Sequence, residues 1–142
     1  MASDLPRSAS NRHASTPSPP PVRRRRDERV AVVATLLLYL VLLTPAPPDE
    51  DRPSRWELPD GTDKVIHTGL FAAETYWLER AARHHLAPTP ALGSAVATSL
   101  VIAWSTEVLQ GAVPGRQNDP ADLAADAAGV VIAALAIGLR RA

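Results

Sequence analysis

The stretch VAVVATLLLYLVLLTPA, Val30–Ala46, carries no charge and has no polar face. A helix that is apolar all round is either buried in a large core or lies in a membrane, and a chain of 142 residues has no core large enough to surround it. At 1.5 Å per residue the stretch spans roughly 25 Å, slightly short of a ~30 Å hydrocarbon layer. Arg29 at its start can snorkel to make up the difference. A cleaved signal peptide is the rival reading, because a basic region, a short apolar run and the small-x-small Thr44–Ala46 fit that description too. The long segment ahead of the run and Pro47, directly after the cut, argue for a retained anchor with no cleavage after Ala46.

Upstream, MASDLPRSASNRHASTPSPPPV is rich in Ser and Pro and nearly free of large apolar residues, so it cannot bury enough surface to offset its ordering entropy. It leads into RRRRDER, Arg23–Arg29, and residues 1–29 are expected to form a disordered, basic, cytoplasmic tail. Downstream come KVIHTGLFAAETYWLERAA from Lys64, ALGSAVATSLVIAWSTEVLQ from Ala91 and DLAADAAGVVIAALAIGL from Asp122 to Leu139. If all four segments cross, Arg23–Arg26 and Arg29, then Arg80 and Arg83, then Arg140 and Arg141 all fall on one side. That is the positive-inside pattern, and it places both termini in the cytoplasm. The expected fold is all-α: a polytopic integral membrane protein whose residues 30–142 form a four-transmembrane-helix bundle behind the tail. A soluble four-helix bundle would need a wide polar face on each helix, and the first and third segments have none.

Composition narrows the chemistry. Formal net charge is zero, which gives no electrostatic case for nucleic acid as a partner. With no Cys there are no disulfides, no thiolate nucleophiles and no Cys-type zinc or iron–sulfur sites. No cofactor and no metal site are expected; a metal would have one His and several carboxylates, closer to a magnesium or manganese set than to zinc.

In this topology the polar residues collect at the outer end. Asp63, Lys64 and His67 open the second helix, Glu107 and Gln110 close the third, and Arg116, Asp119, Asp122 and Asp126 follow directly. Asp63, His67, Leu70 and Glu74 share one helix face, and Asp122, Asp126, Gly129, Ala133 and Ala136 share another, whose small residues mark it as the packed one. Several of these have local explanations. Pro114 and Gly115 fit the centre of a type II turn; Asp119 fits an N-cap, with Pro120 first in the helix and Asp122 at its third position; Asp63 suits the first turn by the macrodipole alone. His67, Glu107 and Asp126 lie a turn or more inside their helices, where an ionisable group is costly unless paired or wet, and such residues mark functional sites. Glu74 lies deeper, with no partner evident from the sequence.

The order DKVIH at Asp63–His67 with Phe71 four residues on, EVLQGAVPGR at Glu107–Arg116, Asp122 six residues after the Arg and Gly129 seven after that resembles the VanZ-like family. The resemblance implies a small multi-pass protein of the bacterial plasma membrane, in a family named after a member associated with teicoplanin resistance. Its pattern residues map onto Asp63, Lys64, His67, Glu107, Gln110, Arg116, Asp122 and Gly129. Asp126 departs from the pattern, which usually has Asn there, and so adds a negative charge.

Three functions follow from these residues. In the first, the outer end binds a polar head group, whether of a membrane lipid, a lipid-linked wall precursor or a glycopeptide; Arg116 and Lys64 hold phosphate or carboxylate while Glu107, Gln110 and Asp126 accept from hydroxyls or amines. In the second, a membrane-embedded hydrolase or transferase uses His67 as acid or base, Glu107 as its partner and Arg116 to stabilise developing charge, though no nucleophile motif accompanies them. In the third, the same residues are internal ion pairs that fix helix order. The sequence identifies neither a catalytic residue nor an oligomeric state. It does suggest a direct pairing of Arg116 with Glu107, through the turn at Pro114–Gly115.

Overall fold

The computed structural model describes residues 21–45, 61–114, 116 and 118–141. Among them there are four helices and no strand: α1 (Pro21–Leu42), α2 (Thr62–Ala82), α3 (Pro88–Gln110) and α4 (Pro120–Leu139). The all-helical expectation holds. The disorder expected for residues 1–20, the cleavage position after Ala46 and the half of the turn at Gly115 lie outside the described residues.

Each helix start has a local cause. α1, α3 and α4 each begin with a proline, whose fixed φ suits the first turn and whose missing N–H would be unpaired there anyway. α2 follows Gly61 at φ 81°, a left-handed conformation in which a side chain would be strained. Asp119 caps α4 by accepting from the Ala121 N–H at 2.9 Å, as its place before Pro120 suggests.

One boundary moves. The helix begins at Pro21, so Arg23–Arg29 belong to α1 and not to the tail. The basic run is held in helical form by an Arg24–Glu28 pair one turn apart at 2.9 Å, and by Asp27, which reaches α2.

The helices run alternately up and down. α2 is the hub, packing on α1, α3 and most extensively on α4; α1 meets α3 only slightly. The close α2–α4 approach is made at Gly129, where a Cβ would collide with the Thr68 carbonyl and lie 3.0 Å from the Ala72 nitrogen. The neighbouring Thr68 hydroxyl donates across the same seam to the Ala125 carbonyl at 3.0 Å. Asp126, Gly129 and Ala133 are buried here as the α4 pattern predicts, but Ala136 is exposed and Ile137 takes the inward place at the far end.

Leu38, Leu42, Phe71, Ile102, Ala103 and Val130 form the central apolar layer. Among the described residues ten polar or charged side chains are buried beside eleven apolar ones, while Val32, Val33, Leu36, Leu37, Leu40, Val101, Trp104, Val131, Ile132 and Leu135 face outward. α3 and α4 are long and apolar enough to cross a membrane. α1 spends its first two turns on arginines, and α2 carries Asp63, Lys64, Glu74, Glu79 and Arg80, so neither reaches that mark by length and composition.

Candidate functional site

The end of the bundle formed by the C-terminus of α3 and the N-termini of α2 and α4 brings together most of the residues singled out above. Lys64, near the start of α2, donates to Asp119 at 2.6 Å, to Asp63 at 3.0 Å and to Asp122. The Asp119 carboxyl is held below its ordinary range by the hydrogen bond from Lys64 and then by the Ala121 N–H. One ammonium thus joins the start of α2 to the start of α4, and its three donors are all used.

One turn deeper, His67 Nδ1 lies 2.8 Å from Asp126 Oδ1, with both residues buried. Its Nε2 is 3.9 Å from Asp122 Oδ2, too far for a hydrogen bond. Because His67 follows Lys64 by three positions and Asp126 follows Asp122 by four, the pairs stack along the α2–α4 seam. Glu107 enters from α3. It is buried, its carboxyl faces the backbone of Asp119 and lies within electrostatic reach of Asp122, Asp126 and Asp119, and its Oε1 has no hydrogen-bond partner.

Two expected members are elsewhere. Arg116 Nε donates to the Thr44 carbonyl at 3.1 Å, and no ion pair joins it to Glu107 among the described residues. The carbonyls just past the end of α1 lack helical partners and attract a donor, so the α3–α4 connection folds toward α1 and away from Glu107. Gln110 is fully buried, its amide donating to the Leu42 carbonyl at 3.1 Å, and so ties α3 to α1. Asp63 is largely exposed beside Lys64.

The site is therefore more acidic than its residue list suggests. Five carboxyls, from Asp63, Glu107, Asp119, Asp122 and Asp126, surround one fully engaged lysine and one histidine. Among the described residues no group of three or more His, Cys, Asp or Glu is arranged to hold a metal ion.

The partners of several other polar groups, Glu74 among them, are not given by the sequence. Glu74 finds Thr35 on α1, Oε1 to Oγ1 at 2.5 Å, while its Oε2 is buried without a partner. Tyr39 and Ser105 join α1 to α3 at 2.5 Å, and Thr75 donates to Ser99 at 2.9 Å. At the opposite end of the bundle, Arg80 donates to Asp27 at 3.2 Å, His84 Nε2 lies 3.0 Å from the same oxygen, and Arg141 pairs with Glu79. Asp27 lies within the Arg23–Arg29 run and Glu79 directly precedes Arg80, in charged stretches that read from sequence as topology signals, which hid their role as helix-joining groups.

No family model, curated protein or solved structure matches this chain. The likeness to the VanZ-like family thus rests on the quoted motifs alone.

Proposed function

We propose that the chain is a VanZ-like, four-span protein of the bacterial plasma membrane, with both termini cytoplasmic and a site at its outer end that binds the polar head of a lipid, lipid-linked or glycopeptide envelope molecule. The outward apolar side chains and the buried polar ones support the membrane setting: in lipid, outward Leu and Val cost nothing, while buried hydroxyls and carboxyls join helices. α1 and α2 cross as members of the bundle even though their own composition is less apolar, because the α2 carboxyls Glu74 and Glu79 are buried within it.

The observation that carries the site reading is the open Glu107 Oε1. A buried carboxyl oxygen without a donor costs free energy, and here it stands within electrostatic reach of Asp126, in a cluster whose one lysine has all its donors engaged. With Lys64 committed to three aspartates and Arg116 turned toward α1, the phosphate-holding half of the expected site is spent on internal bonds. The ligand is instead recognised through its donors, amines and hydroxyls, which glycopeptides and many envelope head groups carry.

A second reading draws on the free Nε2 of His67. Oriented through Nδ1 by Asp126, the ring resembles a general base held by a carboxylate; it lacks a nucleophile beside it, so water would have to serve.

The test compares Glu107→Gln and Asp126→Asn with the parent chain for membrane abundance, teicoplanin susceptibility and the envelope-precursor profile of a deletion strain carrying each form. Binding predicts altered susceptibility or precursor levels at unchanged abundance. If abundance falls in step with the phenotype, the residues serve folding and the site reading fails. A periplasm-active reporter fused at Ala142 tests the topology, and strong activity there refutes it.

A further inference from the structure

At the opposite end of the bundle, α1 and α2 enclose a groove of about 560 Å³ lined by Val22, Arg23, Arg26, Asp27, Trp77 and Arg80. Three guanidinium groups meet one carboxylate there, and that carboxylate is already engaged by Arg80 and His84. Arg23 and Arg26 have no carboxylate partner among the described residues. Arg80 uses one terminal nitrogen on Tyr76 and the other on Asp27, and its Nε–H is buried with no acceptor. The groove therefore has unspent positive charge and an unsatisfied donor, which together call for an anion.

From these features we infer that the groove binds the phosphate of an anionic phospholipid of the inner leaflet, an inference that rests on the membrane reading above. Arginines meet phosphate through paired N–H donors, and basic clefts between helices on the cytoplasmic side are a recurring way to hold acidic head groups. Continuity along α1 favours a lipid over a soluble anion. Arg26, Val30, Val33 and Leu37 follow one another at spacings of four, three and four residues, which is one helix face. Val33 and Leu37 on it are exposed, and so offer a track for an acyl chain below a phosphate held at Arg26. Trp77, stacked edge-on with Tyr76 at 5.3 Å and lying under the Arg80 guanidinium at 5.7 Å, sits at the level where aromatic side chains favour the lipid–water boundary.

The test uses the full chain in neutral detergent, with phosphatidylglycerol, phosphatidylcholine or inorganic phosphate added, and follows thermal melting. Phosphatidylglycerol is expected to raise the melting temperature more than phosphatidylcholine does. The double variant R23Q/R26Q is expected to bind it more weakly by tenfold or more, roughly the effect of losing charge-assisted hydrogen bonds. R25Q/R29Q removes the same charge from α1 outside the groove and should keep the full effect; lipid-free melts of the two double variants establish that both fold alike. Equal responses to the two lipids, equal losses in the two variants, or an equal shift from inorganic phosphate would each overturn the inference. The membrane reading fails by a different measurement, release of the parent chain from membranes by alkaline carbonate.

Discussion

Replacing Gly129 with Ala tests the α2–α4 seam on which the His67–Asp126 pair is built. The added methyl would collide with the Thr68 carbonyl and crowd the Ala72 nitrogen at 3.0 Å. Both are α2 backbone atoms, so no side chain can swing aside and the helices themselves must separate. Overpacking of this kind costs about 1–3 kcal/mol, while the gain in helix propensity from Gly to Ala returns roughly 0.5–1. Gly69 supplies the control. It lies in α2 with nothing near its absent side chain, so Gly69→Ala carries the propensity gain alone. The difference between the two variants is then the packing cost by itself, about 1–3 kcal/mol, which corresponds to a gap of several degrees in melting temperature for a chain of this size. Thermal melting in detergent, followed by helical circular dichroism, reads that gap. Because Asp126 lies one turn from Gly129 and His67 adjoins Thr68, widening the seam should also loosen the 2.8 Å pair, so the outer-site phenotype should weaken in the same variant. If Gly129→Ala melts with Gly69→Ala, the helices do not approach as closely as described and the geometry of the site is wrong.

Other expectations follow from the same contacts. Since Arg116 reaches Thr44 and not Glu107, the stability effects of Arg116→Lys and Glu107→Gln should add within about 0.5 kcal/mol in the double variant, and a clear departure from additivity would restore a direct pair. For Asp27, burial raises the pKa, but hydrogen bonds from His84 and Arg80 and their charges outweigh it and hold the carboxyl below its ordinary value of 3.8. Its contribution is therefore complete above that pH and is lost as the pH falls below it, so Asp27→Asn should destabilise most at neutral pH, with the deficit in pH-dependent melts shrinking below pH 3.8; a deficit independent of pH would show that the charge is immaterial. Glu74→Leu should leave the melting temperature unchanged or raise it, since it removes a carboxyl with an unpaired oxygen and the Thr35 hydroxyl can donate instead to the Ala31 carbonyl at 3.0 Å.

Element type was the legible part of this chain. Long apolar runs, the Asp119–Pro120 start of α4 and the small-residue face at Asp126 and Gly129 are local signals, and each appears where the pattern places it. The basic run of α1 was legible too, but its reading was pulled toward disorder by the Ser/Pro tract before it; Pro21 as a helix opener is the signal that separates the two. Partnerships were another matter. Thr35 with Glu74, Gln110 with Leu42 and Arg116 with Thr44 are separated by 39, 68 and 72 positions, and they depend on how far each helix is rotated about its own axis, a quantity that periodicity along one helix does not contain. The expected Arg116–Glu107 pair failed for this reason: sequence placed both residues at the same depth, but the direction taken by the connection between α3 and α4 decided which one Arg116 could reach.

The placement of Phe71 has an electrical consequence. It is fully buried on α2 between His67 and Glu74, and packs with Leu38, Ile102, Ala103 and Val130 across the whole section of the bundle. Seven residues at the helical rise put the histidine and the carboxyl roughly 10 Å apart along α2, with the Phe71 layer between them. The bundle thus keeps its two charged ends on opposite sides of one apolar layer, so that the carboxyl of Glu74 and the His67–Asp126 pair sit in separate electrostatic environments.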